Sequence, residues 1–442
     1  MGAETGAKQR AIDPPGTAAR RLALDLLEDV LERGRMLSDA LESRSDHAAA
    51  LAPGDRARAQ RLATETLRHL HRADACLRPL LQKPPAAATK LILRLATVEL
   101  CQSDGEPHGV VNSAVTLARQ HPRSTRQARL VNAVLRRMAE DGPARWAQLT
   151  APARLPDWLR GRVQSAYGGR TTAAIEAAHD RGAPVDLTPR DGDASALAAS
   201  VGGQILPTGS VRLADGAGAI SALPGYADGA WWVQDAAAAL PARALAVTPE
   251  ERVLDLCAAP GGKTLQLAAA GAQVTALDIS ERRLERLNAN LTRTGLSAEI
   301  VAADALSYNA APFDAVLLDA PCTATGTIRR HPDLPYLRRK EDLPALVTLQ
   351  AELIDRAVAL LRPGGRLVFC TCSLLPDEGE HQAEAALARH VNLSPDPAAL
   401  ELPGTEASWK SGPGMRLRPD LWADISGMDG FFIAAFRAAS DH

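Results

Sequence analysis

The chain is predicted to combine an all-helical amino-terminal domain, a small α+β connector and a carboxyl-terminal α/β domain with a doubly wound parallel sheet. Three observations predict it. Apolar residues recur at helical spacing between residues 18 and 142, turn-rich segments dominate 143–245, and from residue 246 short apolar runs alternate with helical stretches. Residues 1–17, MGAETGAKQRAIDPPGT, carry no apolar pattern and are expected to be a disordered leader.

The first helix follows from Leu22, Leu26 and Val30, four apart, and should end near Gly34. Further helices are expected over 55–72 (Leu62, Leu67, Leu70), 86–101 (Leu91, Leu95, Val98), 108–120 (Val111, Ala114, Leu117) and 126–139 (Leu130, Val134, Met138). In the connector, PRDGD, PTGS and ADGAGAISALPGYADG separate short apolar pieces, and Trp231 and Trp232 read as packing residues. The later runs RVLDLCA, QVTALDI, EIVAAD, FDAVLLD and GRLVFCTCS read as buried strands. LRPGG makes a turn before the last of these, and MRLRPDLW with GFFIAAF can close the sheet as an antiparallel pair.

With 442 residues, 46% apolar and 23% charged, the chain has the composition of a folded protein with real cores. No apolar run reaches the ~20 residues of a membrane helix and the first residues lack a secretory pattern, so a cytoplasmic protein is expected, with no membrane partner. Six cysteines are then reduced thiols, and without a CxxC pair or His-rich spacing no metal is expected. Residues 1–150 hold 23 Lys+Arg against 17 Asp+Glu, and the rest 27 against 35. Arg119, Arg123, Arg126, Arg129, Arg136 and Arg137 fall within nineteen residues that contain no acid, which suits either a solvated helix face or an RNA contact.

The run Val253–Lys263, VLDLCAAPGGK, has the form of a strand turning through paired glycines into a helix, which is how a nucleotide-like cofactor is held. It is neither GxGxxG nor a Walker loop, so dinucleotide and nucleoside-triphosphate readings lose their main support. Asp278, 23 residues after Asp255, ends the second strand where a carboxylate can accept from both ribose hydroxyls, and Asp304 ends the third near an adenine amino group. Either acid can instead merely cap the next helix. Together they point to an adenosyl cofactor.

Cys322, in LLDAPCTATG, and Cys372, in RLVFCTCS, lie just past two apolar strands. Carbon 5 of cytosine is a poor nucleophile. A thiolate adding at carbon 6 turns the base into an enamine that accepts a methyl group, and a base must later remove the carbon 5 proton so that the thiol leaves. Two thiols at one binding edge can divide these duties; their spacing does not tell which attacks.

LDLCAAPGGK, LLDAPCTATGTIRRHPD, TCS and the terminal DGFF resemble the motifs of the RNA cytosine-C5 methyltransferases over roughly residues 230–437. The sequence is most similar to the Sun/RsmB branch, the bacterial small-subunit ribosomal RNA enzymes. IRRHPD follows the PC motif, and residues 18–142, with LVNAVLRR, look like a NusB-type RNA-binding domain. The resemblance implies a Rossmann-like class I methyltransferase domain over 246–442 with S-adenosyl-L-methionine as methyl donor. Cys257, Ala258, Ala259, Pro260, Gly261, Gly262, Lys263, Asp278, Asp304 and Asp319 would lie on that cofactor. It also implies Cys372 as nucleophile and Cys322 in product release. Asp319 and Lys263 are further expected to hold the target cytosine by its amino and carbonyl edges. Thr323 stands where Ser is usual after the PC pair and keeps the hydroxyl.

The expected substrate is a single-stranded or loop cytosine of small-subunit (16S) ribosomal RNA, met by a monomer. Arg329, Arg330, Arg338 and Arg339 either touch RNA or form salt bridges. The alternatives are the same chemistry on transfer or large-subunit RNA, against which the helical domain argues, and a non-catalytic RNA-binding scaffold, against which the intact cysteines argue. An amino-group methyltransferase would want an Asn/Asp-Pro-Pro-Tyr element where this chain has Asp319-Ala-Pro-Cys322.

Overall fold

A computed structural model describes residues 14, 16–102 and 106–440. It comprises two compact units, one reaching to Arg154 and taking in His331–Leu337, the other formed by Leu155–Arg330 and the chain from Arg338 onward. Of the expected leader, only Pro14, Gly16 and Thr17 are described, and Thr17 already opens the first helix.

The first unit is all helical. Its helices are Thr17–Leu31, Leu37–Ser43, Ser45–Ala49, Pro53–Arg68, Leu70–Leu77, Ala87–Gln102, Pro107–Gln120 and Ala128–Gln148. Leu22, Leu26 and Val30 are buried with Leu67, Leu91, Leu95, Val98, Leu117 and Val134 in one core. Each such leucine or valine contributes ~1.5–3 kcal/mol by leaving water. The expected helix over 55–72 is two helices, because His69 leaves helical geometry (φ −112°, ψ 21°). The last helix runs past Gly142 and Pro143 to Gln148, beyond the expected end at 139. Trp146 explains the extension: it is buried, its ring lies 5.6 Å from that of His69, and the Arg72 guanidinium sits 5.3 Å from its centroid. Within the same unit, the Asp333 carboxylate accepts from Leu37 N at 2.9 Å, and the Tyr336 hydroxyl donates to Leu67 O at 3.0 Å.

The second unit opens with the helical stretch Asp157–Arg181, broken at Gly168 (φ 81°, ψ 163°). A small antiparallel sheet follows in the order β2-β3-β1-β4: β1 Asp186–Pro189, β2 Gln204–Ile205, β3 Val211–Arg212 and β4 Trp231–Val233. Trp231 and Trp232 are buried in packing, as their sequence suggested.

The larger sheet contains β5 Arg252–Leu256, β6 Gln273–Asp278, β7 Glu299–Ala302, β8 Phe313–Asp319, β9 Leu361–Thr371, β10 Leu393–Pro395, β11 Lys410–Ser411, β12 Gly414–Leu417 and β13 Phe431–Ala438. Its order is β11-β12-β13-β9-β8-β5-β6-β7, with β10 beside β13. Strands β5 to β9 run parallel, and β12 and β13 form the antiparallel pair expected of MRLRPDLW and GFFIAAF. Strand order reverses between β5 and β8, so the carboxyl ends of these strands frame the crevice where such sheets bind ligands.

Candidate active site

Beyond β5 the chain passes through Cys257 (φ 62°), Ala258, Ala259 and a cis Pro260 to Gly261, and enters the helix Gly262–Ala269. Gly261 is required twice over: its φ of 105° is left-handed, and a Cβ there would lie 2.8 Å from Leu287 Cγ. Asp278, at the end of β6 and almost wholly buried, anchors the turn. Its carboxylate accepts from Ala259 N at 3.1 Å and Ser280 N at 2.9 Å, and Arg283 lies 3.6 Å away. Asp304 is exposed and accepts from Leu306 N at 3.0 Å, closing a turn rather than capping a helix.

Lys263 and Asp319 meet across the strand ends. Nζ donates to the carboxylate at 2.7 Å and lies 5.3 Å from the Phe431 ring centroid. Burial works to lower the Lys263 ammonium pKa, but the Asp319 charge and hydrogen bond, with Cys370 and Asp255, together hold it above the ordinary lysine value. Asp319 also accepts from the Cys370 thiol at 3.4 Å. Asp255 is fully buried, accepts from Thr264 Oγ1 at 2.6 Å, and is pushed up to about 7 by burial. The Cys257 thiol is pushed up to about 12, by burial first and then by the charges of Asp278, Asp319 and Asp255. The turn therefore lies in a negative field, with its one lysine already neutralised. Such a field suits a cofactor carrying a sulfonium cation and opposes a phosphate dianion.

The two expected cysteines come together. Cys322 follows β8 and Cys372 follows β9, with their sulfurs 3.5 Å apart. The hydrogen bond to Cys372, and then burial, hold the Cys322 thiol well above the ordinary thiol range. Ala320 N donates to Cys370 O at 2.9 Å and Gly326 N to Cys372 O at 2.9 Å, so the two turns are laced through their backbones. Gly326 permits this approach: a Cβ there would collide with Gly430 O and lie 2.8 Å from Cys372 O.

Two residues here escaped sequence reasoning. Glu378 is fully buried and bonded to both cysteine turns, and Gln350 Nε2 reaches Pro321 O at 2.8 Å; only the proximity of Glu378 to TCS hinted at it. Arg329 and Arg330 take the salt-bridge alternative rather than lying open to RNA. Arg329 is fully buried 3.1 Å from Asp429, and Arg330 pairs with Asp429 at 2.8 Å and with Asp235. The acids of this cluster compensate cations that would be costly to bury alone. Arg339 is exposed.

In the helical unit, Arg119, Arg126, Arg129 and Arg136 line a groove of about 770 Å³ with Asn112 and Asn132, and among the described residues no acid lines it. Arg123 instead pairs with Glu32 at 2.8 Å and Glu28 at 3.4 Å. All six cysteines are free. Among the described residues no group of three or more His, Cys, Asp or Glu is placed to hold a metal, and no helix is long and apolar enough to cross a membrane.

A doubly wound sheet with a glycine turn at its switch point and a closing antiparallel pair defines a Rossmann-like class I methyltransferase, here with a NusB-like helical domain. The chain belongs to the 16S rRNA methyltransferase RsmB/F family: that family matches residues 242–437, and the NusB family matches 17–140. It is 36% identical over 465 residues to ribosomal RNA small subunit methyltransferase B of Xanthomonas campestris pv. campestris, spanning 100% of both chains. It is 37% identical over 440 residues to the protein of that name from Klebsiella pneumoniae subsp. pneumoniae, spanning 94% of this chain and 97% of the other. Among solved structures, PH0851 superposes with a TM-score of 0.72 over 97% of this chain and 100% of its own, at 21% identity. A methyltransferase homolog from Pyrococcus horikoshii superposes with a TM-score of 0.53 over 63% and 93%, at 28% identity. The cofactor is S-adenosylmethionine, and the acidic surroundings of the 257–263 turn fit its positive charge.

Proposed function

We propose that the chain methylates carbon 5 of one cytosine in 16S ribosomal RNA through a covalent bond between Cys372 Sγ and carbon 6 of the base. The observation that carries this reading is the pair of thiols 3.5 Å apart at the carboxyl ends of adjacent parallel strands, beside the turn suited to a sulfonium cofactor.

The Cys372 thiolate adds its electron pair to carbon 6, and the pair of the 5,6 double bond moves to carbon 5. S-adenosylmethionine, when bound, supplies the methyl group that this carbon accepts. A base then takes the carbon 5 proton, the C–H pair restores the double bond, and the sulfur departs with the pair of the S–C bond. Cys322 stands next to the departing sulfur and serves this release. Asp278 and the 257–263 turn hold the cofactor, with Asp304 at its adenine end. Lys263 and Asp319 meet the cytosine edges, their ion pair keeping one cation and one anion fixed at the strand ends.

A base in a stack cannot reach Cys372, so the substrate is a cytosine in a loop or single strand. We assign RNA contact to the helical domain, 18–142, through its arginine-lined groove, with 143–245 connecting it to the catalytic domain, 246–442. The direct test maps 5-methylcytosine in ribosomal RNA from cells lacking the gene. One 16S position should lose its mark and regain it with the wild-type gene but not with Cys372→Ala. An unchanged 16S map rejects the proposal.

A further inference from the structure

We propose that Glu378 is a positioning residue that holds the Cys322 and Cys372 turns in register, and that its main effect falls on release of the methylated base. The inference rests on the covalent reading above.

Glu378 is fully buried, and among the described residues it forms no ion pair with a Lys, Arg or His side chain. Four donors satisfy its carboxylate. Oε1 accepts from Thr323 N at 2.9 Å and Gln350 Nε2 at 3.1 Å; Oε2 accepts from Thr323 Oγ1 at 2.5 Å and Ser373 Oγ at 2.6 Å. Thr323 and Ser373 are the residues immediately after the two cysteines. The residues immediately before them are tied in as well: Thr371 Oγ1 donates to Glu378 O at 2.9 Å, and Gln350, bonded to the carboxylate, also donates to Pro321 O at 2.8 Å. The Glu378 carboxylate thus fixes the residue after each sulfur, while its backbone carbonyl and the bridging Gln350 hold the residue before each.

An apolar residue would fill this space without the desolvation cost of burying a carboxyl group. The backbone lacing between the turns, Gly326 N to Cys372 O and Ala320 N to Cys370 O, does not involve Glu378. What the carboxylate adds is the orientation of the residues that flank the sulfurs. Attack on carbon 6 needs Cys372 alone, whereas release in the proposed scheme needs both thiols in place. A displacement of ~1 Å at reacting groups can lower a rate ~100-fold. Loosening the clamp therefore weighs more heavily on release than on attack.

The full-length protein carrying Glu378→Gln tests this. The amide keeps the volume but presents an NH2 group to at least one of the four donors. The expected result is a fall in kcat of at least ~10-fold with the KM for S-adenosylmethionine within about twofold, a covalent protein–RNA band on denaturing gels, and slower diamide-driven disulfide formation between Cys322 and Cys372. Glu378→Gln with kcat and disulfide formation close to wild type overturns the proposal. So does a parallel loss of kcat and cofactor affinity with disulfide formation unchanged, which marks a general structural role. Should Glu378→Gln not fold, Thr323→Val and Thr323→Ser decide: Thr323→Ser should recover most of the kcat that Thr323→Val loses, and equal rates overturn the clamp. A Cys372→Ala control separates the two claims. Turnover there refutes the covalent reading itself, while an inactive Cys372→Ala beside an unaffected Glu378→Gln refutes the clamp alone.

Discussion

The sulfurs of Cys322 and Cys372 lie 3.5 Å apart although 50 residues separate them in the chain. Parallel pairing of β8 with β9, with Asp319 opposite Cys370, brings the following turns to the same edge. The hydrogen bond to Cys372, and then burial, raise the Cys322 thiol well above the ordinary thiol range, so the contact between the two sulfurs is itself what most perturbs Cys322.

Cys372→Ala should abolish methylation while the cofactor dissociation constant stays within about twofold, because the 257–263 turn is built on β5 and β6 rather than on β9. Calorimetric titration with S-adenosylmethionine beside a methyl-incorporation assay checks both halves. Turnover in this variant removes the assigned nucleophile.

Cys322→Ala should instead trap the enzyme on its RNA, because attack by Cys372 remains possible while the neighbouring thiol is gone. A slower-migrating band on a denaturing gel, sensitive to ribonuclease, is the expected readout. Its absence at equal protein and RNA counts against the release role.

Gly326→Ala probes the approach of the two turns without touching either sulfur. Its Cβ would meet two backbone oxygens, colliding with Gly430 O and lying 2.8 Å from Cys372 O, and backbone cannot swing aside as a flexible side chain does. Overpacking of this kind costs ~1–3 kcal/mol, so thermal unfolding should shift down and kcat should fall with it. An unchanged melting temperature contradicts so close an approach.

Local pattern carried most of the architecture, and long-range partners carried what it missed. The stripe of Leu22, Leu26 and Val30 and the strands ending at Asp278 and Asp319 were legible because each declares its own period. The break at His69 was not, since neither glycine nor proline marks it. LRPGG reads as a turn, yet it lies within β9 as a register irregularity, Phe313 pairing with Leu361 and Ala315 with Arg366. The cysteines declared themselves by position at strand ends. Glu378 did not: its partner Thr323 is 55 residues away, and apart from its nearness to TCS nothing local marks this glutamate for burial. Arg330 likewise looked like a surface arginine until Asp429, 99 residues on, closed the pair.

The arginine groove of the helical domain predicts a salt signature. If Arg129 and Arg136 neutralise phosphates, replacing both with Gln should weaken RNA binding across sequences and reduce the slope of log affinity against log salt by ~1 for each phosphate left without its arginine. Cofactor affinity should not change. Equal slopes for wild type and the double variant assign these side chains to a solvated face.

Asp255 predicts how stability varies with pH. Its carboxyl, ordinarily titrating at 3.8, is pushed up to about 7 in the folded protein by burial, the Thr264 hydroxyl offsetting part of the effect. Between pH ~4 and ~7 the folded state therefore holds a proton at this site that the unfolded chain has released. The unfolded state binds fewer protons there, so this group's contribution to stability falls as pH rises through that window and levels off above it. Asp255→Asn cannot titrate and can still accept the Thr264 hydrogen bond. Relative to this variant, wild type should lose ground steadily from pH ~5 to ~7 and no further from ~7.5 to ~8.5, as read from paired melting temperatures. A wild-type minus variant difference that stays flat across the range means that Asp255 is ionised throughout, with the positive charge of Lys263 outweighing its burial.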